Sequence, residues 1–130
     1  MSSGGEFHPG SLIIMVVFLQ LPLELDVDRA RSWIGRGATL LDVRDSGERE
    51  ALRIPNSVWI PVTELVRRWR ELPVQVPVVV YCSAGSRSFR ASKYLREHGR
   101  DAAALVGGLS VWAASGEAVE LGPERGAELR

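Results

Sequence analysis

The segment VPVVVYC, residues 76–82, constrains the fold more than any other stretch of the chain. It is short, β-branched and apolar at consecutive positions, so the strand it forms must be covered on both faces. Such strands belong to parallel sheets with helices packed above and below. The flanking sequence agrees. Residues 23–25, ATLLDV (38–43), SVWIP (57–61) and AAALV (102–106) read as further strands, none with the alternating polarity of a half-exposed sheet.

Helical segments separate them. Asp26 is the predicted N-cap of VDRARSWIG, with Ala30, Trp33 and Ile34 on one face and Gly35 or Gly37 at its end. RDSGEREALR is predicted to form a turn and a short helix. Thr63 is a predicted cap for ELVRRWREL, which places Leu65, Val66 and Trp69 together and stops at Pro73. SFRASKYLREHG is an amphipathic helix closed by Gly99, and LSVWAAS a last short one. The expected class is α/β, a parallel sheet with helices on both faces. Trp33, Trp59, Trp69 and Trp112 share no helical or strand spacing and are expected to pack rather than form a cofactor box.

A chain of 130 residues supports one such domain. Its 16 basic and 16 acidic side chains cancel, which gives no charge footprint for nucleic acid or an anionic membrane. Arg67, Arg68 and Arg70 are expected on a solvated helix face. Cys82 is the one cysteine, so an internal disulfide and a cysteine-rich metal site are excluded. With only His8 and His98 beside it, neither metal nor cofactor is expected. His98 is expected near the end of its helix rather than in catalysis. An unpaired thiol suits a reducing compartment, hence an expected cytoplasmic location.

Residues 1–11 read as a disordered or vector-derived leader. Residues 12–21 are an apolar arm, shorter than the roughly 20 residues a membrane span requires and without the basic flank of a signal peptide. Three roles stay open for the arm: a buried extra strand, a packed extension or a dimer contact. The folded unit is expected over 22–119. The chain turns polar and is expected to fray from Glu117, leaving 120–130 as a tail.

Ligands in parallel α/β sheets sit beyond the C-terminal strand ends. Three such ends converge here: Asp42 and Val43, Cys82, and Gly107 with Gly108. Cys82 opens a loop of Ser83, Ala84, Gly85, Ser86, Arg87 and Ser88, small except for the arginine. Small residues let successive backbone N–H groups turn inward as an anion nest, and a helix starting near Ser86 adds the positive end of its dipole. A thiolate there is favoured over the thiol, so its pKa falls from about 8.5 toward neutrality or below. Arg87 can grip an incoming oxyanion or set the loop's charge. The plainer alternative is a structural cysteine ahead of a serine-rich turn. The arginine falls five residues after the cysteine, one short of a Cys-x5-Arg phosphatase loop, and the smaller ring suits a sulfur atom better than a phosphoryl group.

Four motifs together resemble the rhodanese-like domain family. YCSAGSRS is similar to its Cys-x-x-Gly-x-Arg-Ser active loop, and LLDVRDSGE (40–48) to its Asp-Val-Arg…Glu element at Asp42, Val43, Arg44 and Glu48. IPNSVWIPVTEL (54–65) resembles the Ile-Pro-Gly-Ala…Ile-Pro segment, and LVGGLSVWAASG (105–116) the Gly-Gly…Trp…Gly element. The resemblance implies a five-stranded parallel sheet with helices on both faces. It also implies a sulfurtransferase moving sulfane sulfur from thiosulfate or a persulfide donor to cyanide or a thiol through a Cys82 persulfide. The alternative is a persulfide-carrier or protein-binding module with little small-molecule turnover. A phosphatase or an arsenate reductase fits less well, given the short loop and the missing second cysteine. Expected partners are a small sulfur-donor anion, a thiol or cyanide acceptor and a protein persulfide donor or acceptor, with no nucleic acid and no membrane span.

Supporting roles are expected for Asp42, hydrogen-bonding the cysteine loop, and for Arg44 and Glu48 as an ion pair near the crevice. Ser83, Ser86 and Ser88 line the pocket in this reading. One stretch departs from the family: Gly-His-Ile-Pro-Gly-Ala is here Leu52-Arg53-Ile54-Pro55-Asn56-Ser57, which leaves the local backbone and pocket approach open.

Overall fold

In the computed structural model, which describes residues 22–124, the expected strands form at β1 (Glu24–Leu25), β2 (Thr39–Asp42), β4 (Val58–Trp59), β5 (Val78–Tyr81) and β6 (Ala102–Leu105). They build a five-stranded sheet in the order β1-β6-β5-β2-β4, with every pairing parallel. The leader and apolar arm of residues 1–21 lie outside the described residues.

Consecutive strand residues feed opposite faces, and the core divides accordingly. Leu40, Val79, Tyr81, Ala103 and Leu105 pack on one side with Val27 and Ala30 of α1 (Val27–Gly35) and Leu109 and Trp112 of α5 (Gly108–Ala114). Leu41, Val78, Val80 and Ala102 pack on the other with Leu65 of α3 (Val62–Arg68) and Ala91 and Leu95 of α4 (Ser86–Glu97). Val78, Val79 and Val80 are fully buried, each worth roughly 1.5–3 kcal/mol relative to exposure. The two-sided burial read from VPVVVYC is therefore how β5 sits.

Local signals place most helix ends. Asp26 caps α1 by accepting from Arg29 N at 2.8 Å. Asp45 and Glu48 form a reciprocal capping box on α2 (Ser46–Ala51), at 2.8 and 3.0 Å.

Three expectations are corrected. Thr63 does not cap α3. The helix starts two residues earlier, behind Pro61, because Val62 N reaches Val43 O at 3.0 Å and Glu64 N reaches Pro61 O at 2.8 Å. Val66 leaves the face shared by Leu65 and Trp69 and is 67% exposed. The tail does not fray at Glu117: β7 (Glu120–Leu121) pairs antiparallel with β3 (Leu52–Arg53), and Glu124 ion-pairs with Arg49 at 3.3 Å. Residues 125–130 lie outside the described residues.

The departure at residues 52–57 resolves here too. Arg53 turns away from the crevice. It is buried, donates to the carbonyls of Arg49 and Gly122, and ion-pairs with Glu120 at 3.3 Å. Asn56 adopts φ +64°, so it supplies the left-handed turn for which glycine is otherwise the usual residue.

From β2 the chain crosses by α2 to β4 on one side, and from β5 it crosses by α4 to β6 on the other. The connections diverge between β2 and β5, which opens a crevice at their C-terminal ends.

Candidate active site

Cys82 stands at the end of β5 in that crevice, 1% exposed, with its side chain inside a ring made by residues 83–88. Gly85 makes the ring possible. It occupies the N-cap position of α4 at φ +119°, a conformation that L side chains rarely adopt. The chain then turns so that Gly85 N–H donates to Cys82 Sγ at 3.0 Å and Ser88 N–H at 3.4 Å.

Ser88 is fully buried and completes the ring. The thiol donates to Ser88 Oγ at 3.4 Å, while that hydroxyl donates to Gly85 O at 3.0 Å. On loss of the thiol proton the hydroxyl can rotate to donate to sulfur. Burial pushes the Cys82 pKa up. Hydrogen bonds from the Ser88 side chain and from the backbones of Ser88, Gly85 and Ala84 outweigh it, and the net shift is downward. The ring thus stabilises the thiolate relative to the thiol.

Its back wall comes from α5. Leu109 N donates to Cys82 O at 2.8 Å, and Ser110 donates to Ser83 O through its backbone at 3.2 Å and its hydroxyl at 3.1 Å. A Cβ on Gly108 would lie 2.3 Å from Cys82 O, so only glycine allows this approach.

Two of the expected supporting contacts are corrected. Asp42 does not touch the cysteine loop; it centres a buried network one residue before it. Its carboxylate accepts from Arg44 N at 2.9 Å, Arg44 Nε at 3.0 Å, Arg44 Nη2 at 2.9 Å, Arg49 Nη1 at 3.2 Å and Tyr81 Oη at 3.0 Å. Tyr81 also accepts from Ile54 N at 3.1 Å. Tyr81, the residue preceding Cys82, is anchored from two directions.

Arg44 and Glu48 do not form a side-chain ion pair. Arg44 turns inward to Asp42 and spends further donors on the carbonyls of Glu48 and Leu52. Burial works against its charge, yet Asp42 leaves its pKa raised. Glu48 instead takes Arg87 bidentately at 2.7 and 2.8 Å and accepts from Ser83 Oγ at 2.8 Å. Hydrogen bonding to Arg87 holds the Glu48 carboxyl well below the usual range. Both ends of the cysteine ring are therefore clamped by one carboxylate, and Arg87 is occupied.

Ala84 and Ser86 are exposed on the other flank. With Gly85, Phe89, Arg90, Glu24, Val106 and Gly107 they line an open groove of about 530 Å³. Sequence reasoning missed Glu24 and Arg90, which belong to no motif and meet only through the β1–β6 pairing. Ser57 and Arg49, also unanticipated, close the network around Asp42 and Tyr81. Among the described residues, no group of three or more His, Cys, Asp or Glu side chains could hold a metal ion, and no helix is long and apolar enough to cross a membrane.

Fold and site define a parallel α/β domain whose one cysteine lies in an N–H-lined ring at a C-terminal strand end. The rhodanese-like domain family model matches residues 26–115, and the chain belongs to that family. It is 33% identical over 99 residues to the thiosulfate sulfurtransferase GlpE of Pseudomonas syringae, covering 75% of this chain and 90% of that one. A sulfurtransferase of Allochromatium vinosum is 35% identical over 78 residues, covering 59% of this chain and 73% of that one. Among solved structures, a rhodanese-related protein of Thermoplasma volcanium aligns with a TM-score of 0.72 at 30% identity, covering 77% of this chain and 99% of that one. These similarities support sulfurtransfer at the level of the family.

Proposed function

We propose that the domain is a sulfurtransferase carrying sulfane sulfur as a persulfide on Cys82, taken from thiosulfate or a persulfide donor and passed to a thiol or cyanide. The supporting observation is the ring of N–H donors around a sulfur whose pKa is lowered. In the first half-reaction the Cys82 thiolate attacks the outer sulfur of the donor. With thiosulfate, a bond forms between Sγ and the sulfane sulfur, the bond to the sulfonate sulfur breaks, and sulfite leaves with the electron pair. The negative charge moves outward by one sulfur and stays within reach of the inward N–H groups, which act as an oxyanion hole does. The lowered pKa raises the thiolate fraction, which is the form that attacks.

A second reading, a persulfide carrier served by a protein partner, has one observation in its favour. Glu48 occupies Arg87, the one cation of the loop, which weakens its attraction for a free dianion. In either case an unpaired thiol is best preserved in a reducing compartment such as the cytoplasm.

Intact mass after incubation with thiosulfate, desalting and then cyanide tests the cycle. The wild type should gain about 32 Da, one sulfur, and lose it to cyanide, while Cys82→Ser gains nothing. An adduct that persists in Cys82→Ser sinks the reading. A wild type loaded only by a protein or low-molecular-weight persulfide, never by thiosulfate, selects the carrier.

A further inference from the structure

The open groove beside the cysteine ring carries two charges of opposite sign. Glu24 and Arg90 both line it and both are exposed. Neither has a hydrogen-bond or ion-pair partner among the described residues, and they do not pair with each other. This is unusual for the molecule's arginines near the crevice: Arg44, Arg49 and Arg87 are each tied to a carboxylate. Phe89, Val106 and Gly107 line the same groove.

The groove and the ring share a wall. Ala84 and Gly85 turn their N–H groups toward Sγ and also line the groove. A molecule lying in the groove therefore has its near end against the loop that holds the sulfur. At about 530 Å³ the groove exceeds what an inorganic anion fills, and its size is that of an organic ligand site.

We propose that Glu24 and Arg90 select the sulfur acceptor: the groove takes a zwitterionic amino-acid thiol, its ammonium facing Glu24 and its carboxylate facing Arg90. This rests on the persulfide reading of Cys82. The acceptor thiolate attacks the outer sulfur of the persulfide. A bond forms between the acceptor sulfur and that outer sulfur, the Sγ–S bond breaks, and its electron pair returns to Sγ, where the Gly85 and Ser88 N–H groups receive it. The persulfide anion first takes a proton from water onto its outer sulfur; that proton travels with the transferred sulfur, so the products are the Cys82 thiolate and the acceptor's persulfide. A neutral thiol reacts by the same path without the two charge contacts.

The test is the discharge of protein preloaded with thiosulfate or inorganic polysulfide, followed by mass at matched thiolate concentrations. Four thiols separate the charges: cysteine carries both, cysteamine the ammonium, 3-mercaptopropionate the carboxylate and 2-mercaptoethanol neither. Cysteine should react fastest. Arg90→Gln should slow cysteine and 3-mercaptopropionate by about threefold to fivefold, the scale of an exposed ion pair, and leave the other two unchanged. Glu24→Gln should slow cysteine and cysteamine alone, while Arg90→Lys keeps most of the carboxylate preference. Equal rates for all four thiols in the loaded wild type overturn the selectivity and leave the persulfide cycle standing. A wild type that loads from neither donor overturns both.

Discussion

Two buried aspartates sit at opposite ends of the sheet and meet opposite fates. Asp42, at the C-terminal end of β2, is fully buried and takes donors from Arg44, Arg49 and Tyr81. Asp101, just before β6 at the other end, is 7% exposed, and its Oδ2 has no partner. Burial raises the Asp101 pKa to about 6, against a smaller opposing pull from Arg96. The end of the sheet that carries chemistry is saturated with hydrogen bonds; the far end tolerates an under-satisfied charge. A saturated carboxylate holds its neighbours in one arrangement, and here those neighbours include Tyr81, the residue before Cys82.

Breaking the saturated end has the largest expected effect. Asp42→Ala strands Arg44 and Arg49 as buried cations and should cost about 3–5 kcal/mol, read as a shifted denaturant midpoint. An unchanged midpoint means that the network is ornamental.

Relieving the far end should stabilise. The folded-state pKa of Asp101 lies above the ordinary 3.8, so its favourable contribution is complete below about pH 4 and is lost as pH rises through about 6. Asp101→Asn should therefore gain about 1–3 kcal/mol at pH 8 and almost nothing at pH 4, measured as paired melting curves. A gain of equal size at both pH values assigns the effect to packing instead.

Glu48→Gln tests the intermediate case, since the Arg87 and Glu48 side chains are each 29% exposed. Stability should move by less than about 1 kcal/mol. Kinetics should split: KM for thiosulfate falls as Arg87 is released toward the dianion, and kcat falls as Ser83 and Arg87 lose their common clamp. Parallel loss in both parameters argues that Glu48 merely holds the fold.

What was legible in the sequence follows from how local each signal is. VPVVVYC, the Asp26 cap and the small residues after Cys82 encode strand, helix start and ring within a few positions, and all three stand in the structure. The pairing of charges was not legible. Arg44 is four residues from Glu48 and Arg87 is 39, yet Glu48 takes the distant one because Arg44 lies at a strand end where its side chain turns into the buried Asp42 network. The β3–β7 ribbon escaped for the same reason. Two-residue strands carry no periodicity, and contacts distant in sequence bring them together: Arg53 to Gly122 and Glu120, and Arg49 to Glu124. Thr63 looked like a cap by residue type, whereas the helix start was settled by a carbonyl from β2's exit.

A peptide unit is planar and trans, so its carbonyl and its N–H point in opposite directions. Ser110 draws the carbonyl of Ser83 backward with two hydrogen bonds. The same rigid plate then swings the Ala84 N–H forward, onto the sulfur. The setting of Cys82 is in this sense written on the reverse side of its own loop: a helix behind the loop sets which way the dipoles in front of it face.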